Sequence, residues 1–155
     1  MIRNLFIALV LCVTTSCVEV PPPGGDGGGG PSTITVRWIN ATSSALDPQF
    51  YASPEPLGDP AVMLFVPQYQ IVDGVGFAGS GLIPGGQTDE VVLDCETVAT
   101  IGTLGGTFLN ADTGEPIGTG QQRILSAQLN FVCGDTIVFT YRSGPEGFRT
   151  LFTVQ

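Results

Sequence analysis

The sequence predicts an all-β fold, a single antiparallel β-sandwich of the immunoglobulin-like or a related Greek-key type with one disulfide. Apolar and polar residues alternate with a period of two in several short segments, as expected for strands with one buried face. The composition agrees, because only 12% of the residues are charged and the chain contains 22 Gly and 12 Pro, which suits turns better than surface helices.

The alternation is clear in five segments, which are predicted to be half-buried strands: residues 33–40, 87–96, 123–133, 136–142 and 148–154. Trp38 and Tyr141 share the apolar parity of their segments, which predicts core positions for both rings. About eight or nine strands are expected in all, and this number favours two sheets over a closed barrel. The weaker runs cover residues 49–52, 61–66 and 75–78. The longest strand is predicted to bury Leu125, Ala127, Leu129, Phe131 and Cys133.

Two cysteines lie on the apolar parity of their predicted strands. Cys95 and Cys133 therefore sit where a bond across the core would start. In an exported chain such a pair predicts a disulfide, and closing a separation of 38 residues (133 − 95) stabilises the fold by about 4 kcal/mol. A metal site is the alternative, but the sequence has no histidine and no C-x-x-C pair to complete a tetrahedral ligand set.

The first sixteen residues have the features of a signal peptide. Arg3 precedes an apolar run at 5–13, which is shorter than the roughly 20 residues that a transmembrane helix needs. The stretch Val13-Thr14-Thr15-Ser16-Cys17 resembles the lipobox of bacterial lipoprotein signal peptides, in which the cysteine is diacylated and becomes the new N-terminus. The resemblance implies lipidation of Cys17. The alternative is an ordinary secretory signal cleaved nearby, which would leave Cys17 as a free thiol.

Residues 17–32 are predicted to be a lipidated cysteine followed by a tether. Their prolines and glycines cannot bury enough apolar surface to fold, and they should hold the domain about 20 Å from a membrane. The predicted organisation is thus a signal peptide over 1–16, a tether over 17–32 and a β-sandwich over 33–155. Val18 after the cysteine resembles lipoproteins sent to the outer membrane, which implies a lipid-anchored location in the bacterial cell envelope, periplasmic or surface-facing.

The charge of the chain restricts its partners and its chemistry. A net charge of −9 without any lysine or histidine disfavours binding to nucleic acids, so membrane contact is expected through the lipid anchor alone. The missing residues also exclude nucleophiles activated by histidine or lysine. We therefore expect no enzyme and no cofactor. Glu90, Asp94 and Glu96 could in principle form the carboxylate pair of a glycosidase, but we interpret them as the solvated side of their strand.

Three further motifs are interpreted as turns or packing features. Asn110-Ala111-Asp112-Thr113-Gly114 predicts a hairpin turn in which Asp112 caps its own backbone and Gly114 has positive φ, with calcium binding by Asn110 and Asp112 as the alternative. The Asn40-Ala41-Thr42 sequon is predicted to end the first strand in an asparagine turn. The glycines of 101–106 indicate close strand packing rather than a phosphate loop. Residues 143–147 separate the last two strands at hairpin distance.

These observations lead to one main functional hypothesis and two alternatives. The main hypothesis is a non-catalytic, lipid-anchored envelope protein whose domain is a binding or structural module. The first alternative is a polysaccharide-binding module that uses Tyr51 and Tyr69, which lie beside glutamines in the irregular part of the sequence. The second is a carboxylate-based glycoside hydrolase. The sequence does not specify a protein or glycan partner.

Overall fold

The structure, a computed structural model, describes residues 30–71 and 81–155. These residues form ten strands in three sheets, and the predicted all-β class is confirmed. The strands are β1 Thr33–Asn40, β2 Ala45–Asp47, β3 Phe50–Ser53, β4 Thr88–Asp94, β5 Thr100–Thr103, β6 Thr107–Leu109, β7 Pro116–Thr119, β8 Arg123–Ser126, β9 Thr136–Gly144 and β10 Gly147–Val154. The predicted signal peptide, Cys17, most of the predicted tether and the run at 75–78 lie outside the described residues. Among those described, no helix has the length and apolar character needed to cross a membrane.

Sheet A contains four strands in the order β10-β9-β1-β4. The predicted strands 33–40, 136–142 and 148–154 are confirmed, and 87–96 is confirmed as a strand ending at Asp94. The purely antiparallel arrangement was wrong, because β1 pairs with β9 in parallel while its pairing with β4 is antiparallel. A tight turn forces neighbouring strands to be antiparallel, but residues 41–135 separate β1 from β9 and leave the direction to tertiary contacts.

Sheets B and C are adjacent along the chain, because β2 leads into β3, β5 into β6 and β7 into β8. Sheet B has the order β2-β6-β7, and sheet C has the order β3-β5-β8, with antiparallel pairing throughout. Thr107 lies opposite Thr119 in sheet B. Thr103, four residues before Thr107, lies opposite Arg123, four residues after Thr119, in sheet C. The two segments therefore keep the same spacing from one sheet to the other, and we call the junction between the two sheets the corner.

One hydrophobic cluster contains side chains from all three sheets. Trp38 of β1 contacts the edge of Phe50 at 5.1 Å between ring centroids, and Phe50 contacts Phe139 of β9 at 5.6 Å. The predicted core positions of Trp38 and Tyr141 are confirmed. The fully buried members of the cluster, each at most 1% exposed, are Ile34, Val36, Trp38, Leu46, Phe50, Ile83, Ile101, Phe108, Leu125, Ile137, Phe139 and Tyr141.

The predicted strand at 123–133 was wrong beyond its first four residues, because β8 ends at Ser126. Gln128 has a φ of +64°, and the Asn130 side-chain oxygen accepts a hydrogen bond from the Ser126 N–H at 2.9 Å. These features turn the chain away and leave Leu129 81% exposed, although Phe131 returns to the core. The alternation of apolar and polar residues continues through this turn, because glutamine and asparagine occupy its polar positions. A period-two pattern alone therefore does not reveal the turn.

The weak run at 61–66 is not a strand either. Residues Pro60–Met63 form a short α-helix, and the Asp59 carbonyl accepts bonds from the N–H groups of Val62 and Met63. Proline is well suited to the first position of a helix, where no N–H partner is needed. Leu64 follows the helix and is fully buried against Gly102. The run at 49–52 is confirmed as β3.

At the corner, buried hydroxyl groups form hydrogen bonds with backbone carbonyl and N–H groups. Thr103 donates to the Pro48 carbonyl at 2.6 Å and accepts from the Gly105 N–H at 3.0 Å. Tyr141 of sheet A places its hydroxyl 3.3 Å from the Thr103 oxygen. Gly105 has a φ of +109°, which only glycine adopts easily. The close-packing interpretation of the 101–106 glycines is confirmed here.

The disulfide between Cys95 and Cys133 is confirmed, with Cα atoms 5.8 Å apart. Its predicted position across the core was wrong, because Cys133 is exposed and Cys95 only half-buried. Cys95 begins the 3-10 helix Cys95–Thr97, and Cys133 lies in the loop before β9. The bond instead joins the end of β4 to the start of β9, at one end of sheet A.

Replacing both Cys95 and Cys133 by alanine should lower the free energy of unfolding by about 4 kcal/mol. The reason is that the unfolded chain regains the freedom of a 38-residue loop. Denaturant unfolding followed by Trp38 fluorescence measures the change, with the reduced wild-type protein as the control. Equal midpoints for the oxidised wild-type protein and the double variant would show that the bond adds no stability.

Burial raises the pKa of the Tyr141 hydroxyl above its usual value of about 10. The unfolded chain then loses a proton that the folded protein keeps, so stability should fall as pH rises above about 10. Tyr141→Phe should cost about 1 kcal/mol at neutral pH, through the lost bond to Thr103, and should reduce the alkaline loss. Urea unfolding of both proteins on the two sides of this pKa measures the difference. The same alkaline slope in both would contradict the assignment.

Candidate functional site

The hairpin formed by β9 and β10 opens a groove of about 320 Å³ at its tip. The hairpin predicted at 143–147 is confirmed, with Gly144 paired to Gly147 and a φ of +99° at Gly147. That conformation favours glycine, and it lets the chain reverse over Pro145 and Glu146. We call this the hairpin groove. Its lining residues are Arg142, Ser143, Gly144, Pro145, Glu146 and Arg149.

Two arginines lie directly opposite each other in the hairpin groove. Arg142 on β9 and Arg149 on β10 are register partners, on the face of sheet A opposite to that of Phe139. Like charges at such positions repel and destabilise a strand pair. The chain contains only five cationic residues, so this pairing concentrates positive charge at one place on an acidic protein.

The two arginines have different surroundings. Arg149 forms an ion pair with Glu146, and their side chains remain 38% and 78% exposed. Arg142 is exposed and belongs to no ion pair among residues 30–71 and 81–155. A guanidinium group presents several N–H donors in one plane and binds carboxylates or phosphates with two parallel bonds. The groove is therefore equipped to hold an anion.

The sequence-based interpretation overlooked these arginines, although a signal was present. Arg142 and Arg149 flank the predicted turn at 143–147 at nearly equal distances. In a hairpin, such residues face each other on the same side of the sheet. Their pairing depends on the exact register, however, and a shift of one residue would have separated them.

The tyrosines predicted to contact a ligand lie near each other but are largely enclosed. Tyr51 on β3 is 8% exposed, and its ring contacts the edge of Phe65 at 5.3 Å. Tyr69 ends the 3-10 helix Pro67–Tyr69 and is half-buried, and the next residue, Gln70, forms a β-bridge with Tyr51. Tyr51 consequently offers little ring surface to a glycan, while Tyr69 keeps part of its surface.

The carboxylates considered for glycoside hydrolysis are solvent-exposed, which confirms their interpretation as a solvated side. Glu90 accepts two hydrogen bonds from Arg37, at 2.8 and 3.0 Å. Asp94 accepts a bond from the backbone N–H of Glu96 at 3.0 Å and so caps the short helix that follows β4. Glu90 and Asp94 thus make local structural contacts.

The predicted turn at 110–114 is confirmed, with Gly114 at a φ of +70° between β6 and β7. The capping residue is Asn110 rather than Asp112, because the Asn110 side-chain oxygen accepts from the N–H groups of Asp112 at 2.8 Å and Thr113 at 3.1 Å. These bonds occupy the oxygen that a calcium ion would use. Among the described residues, no three or more Cys, Asp, Glu or His side chains cluster as metal ligands would.

Asn40 ends β1 in the predicted asparagine turn, and its side chain is fully buried. Its oxygen accepts from the backbone N–H of Thr42 at 3.2 Å and from the Thr42 hydroxyl at 2.7 Å. Its nitrogen donates to the carbonyl groups of Ser44, Ile83 and Pro84 at 2.8, 2.9 and 3.2 Å. One amide therefore joins three chain segments at the end of sheet A.

Asn40→Ala should lower the free energy of unfolding by about 2–4 kcal/mol, because buried carbonyls lose their donor. Asn110→Ala is the matched control, since Asn110 also caps a turn but its capping bonds are exposed, and it should cost about 1 kcal/mol or less. Urea unfolding of the two variants measures the difference. Equal losses would contradict a special role for the buried amide.

No protein family, curated protein or solved structure matches the chain. The hairpin groove must therefore be interpreted from its own chemistry. It combines two opposed arginines and an exposed glutamate on a pair of antiparallel strands.

Proposed function

We propose that this protein is a non-catalytic, lipid-anchored protein of the bacterial cell envelope whose β-sandwich domain acts as a binding module through the hairpin groove. The observation that carries the proposal is the position of the groove relative to the tether. The tether enters at one end of sheet A, and the groove lies at the other end. A domain held by its lipid anchor would then present the groove away from the membrane.

The parallel pairing of β1 and β9 supports this orientation. Thr35 pairs with Thr136 and Asn40 with Tyr141, so both strands run in the same direction. The start of β1, where the tether enters, therefore lies beside the start of β9. The turn of the hairpin follows the other end of β9, a strand of nine residues. A strand of this length spans about 25 Å, which places the groove far from the tether.

Hydrogen bonds hold the chain in place at the end of sheet A where the tether enters. Cys95 donates its N–H to the Ser32 carbonyl at 2.8 Å, and Gly134 donates to the Thr33 carbonyl at the same distance. The disulfide joins the segments around Cys95 and Cys133, which make these two hydrogen bonds. A disulfide at this point would keep β1 in its place between β4 and β9 when force acts on the tether.

The sandwich arrangement is supported by the shared core. The inner side chains of sheet A, among them Val36 and Phe139, belong to the same cluster as Leu46 of sheet B and Ile101 of sheet C. Sheets that bury their apolar faces against each other in this way form the two layers of a sandwich.

The non-catalytic assignment is supported by the chemistry of the chain. It has no histidine or lysine, which removes the usual bases that activate a serine or cysteine. Buried hydroxyl groups serve the backbone instead: Ser53 donates to the Glu55 carbonyl at 3.0 Å, and Thr103 donates to that of Pro48. These hydroxyl groups are engaged in hydrogen bonds that stabilise loops, which does not favour a role for them as nucleophiles.

Growing bacteria that express the full chain should incorporate a labelled fatty acid into the protein, and Cys17→Ala should abolish the label. Cys12→Ala is the matched control and should keep it, because Cys12 lies in the apolar run that is removed with the leader. Gel electrophoresis with detection of the label measures the outcome. An unlabelled wild-type protein, or a labelled Cys17→Ala variant, would overturn the lipid anchor.

A further inference from the structure

We propose that the hairpin groove binds a carboxylate group of an acidic ligand, in a unit of about the size of a uronic acid, with Arg142 and Arg149 as the two cationic donors. This inference deepens the proposed binding function and rests on it for the exposure of the groove. The ligand class follows from three properties of the groove: its charge, its existing carboxylate and its size.

The arginine pair in the groove is unfavourable for the folded protein. Arg142 and Arg149 are directly opposed, and the ion pair between Arg149 and Glu146 offsets only part of their repulsion. The chain has only five cationic residues, and Arg37 and Arg123 are already engaged, with Glu90 and with the Thr150 carbonyl. Placing two of the five against each other is unfavourable for folding alone. An anion between them would convert repulsion into attraction.

Glu146 indicates what kind of anion fits. Its carboxylate already binds the Arg149 guanidinium within the groove, so a carboxylate is an acceptable partner at this position. Side chains this exposed form only weak ion pairs. A ligand carboxylate that contacts both arginines can therefore displace Glu146, which binds only one.

The size and surroundings of the groove are consistent with a small ligand unit. A volume of about 320 Å³ lies at the lower end of the range for small-molecule sites. The overall negative charge of the chain does not prevent binding, because charges further than about 8 Å are screened at physiological salt. Among the lining residues, Glu146 is the one carboxylate.

The test uses the full lipidated chain, labelled with ¹⁵N and held in micelles of a non-ionic detergent. Glucuronate, glucose and inorganic phosphate are titrated at constant ionic strength, and the backbone amide signals of Ser143, Gly144 and Glu146 are followed by NMR. Glucuronate should shift these signals in a saturable manner, and glucose, which lacks the carboxylate, should not. Raising the salt concentration should weaken the binding.

Three variants of groove residues and one control variant make the test specific. Arg142→Gln and Arg149→Gln should each weaken glucuronate binding by about tenfold or more, because each removes a charged donor. Glu146→Gln should strengthen binding by about threefold, because it frees Arg149. Arg37→Gln, on the same face of sheet A but already paired with Glu90, is the matched control and should bind like the wild type.

The possible results separate clearly. Failure of glucuronate to bind, unchanged affinity in the two arginine variants, or weaker binding by Glu146→Gln would each overturn the proposal. Phosphate binding as tight as glucuronate binding would overturn the carboxylate assignment. Thermal unfolding of each variant checks its fold, and Arg142→Gln should unfold no earlier than the wild type, since it removes a repulsion. Fatty-acid labelling at Cys17 is measured separately, so a failed titration leaves the anchor proposal unaffected.

Discussion

The rest of the structure depends on the central position of β1 in sheet A. This strand is paired on both sides, with β4 in one direction and β9 in the other, and its inward residues reach the middle of the core. Trp38 is the largest of them and contacts Phe50 across the sheets. Register fixes which face of a strand is buried, so the two neighbours of β1 together determine which side of sheet A faces the core. Without β1, the β9–β10 hairpin and β4 would share no hydrogen bonds.

The two ends of sheet A differ in construction, and the difference is consistent with different roles. At the end where the chain enters, backbone bonds from Cys95 and Gly134 hold Ser32 and Thr33, and the disulfide closes this grip. At the other end the β9–β10 hairpin extends past the end of β1 and exposes charged side chains. A covalently closed end suits attachment, while an exposed end with polar groups suits contact with a ligand.

Residues at the corner and in sheets B and C contact β10 of the hairpin. Thr150 of β10 donates to the Gly105 carbonyl at 2.9 Å, and Arg123 donates to the Thr150 carbonyl at 3.0 Å. Phe148, next to the groove residue Arg149, stacks on Phe108 of sheet B with ring centroids 3.9 Å apart. These contacts tie β10 of the hairpin to residues of sheets B and C and of the corner between them. A binding site built on such fixed strands keeps its donors in place, which lowers the entropic cost of binding.

The sequence alone determined the four strands of sheet A and which side of each faces the core, because alternation with a period of two is a local property of the chain. It also determined the disulfide partners, since Cys95 and Cys133 are the two cysteines that follow Cys17 in the sequence. Tertiary structure decided the parallel pairing of β1 with β9, the break after Ser126 and the meeting of Arg142 with Arg149. These features depend on partner choice and register between distant segments. Such contacts are set by the packing of the whole domain, which no local pattern records.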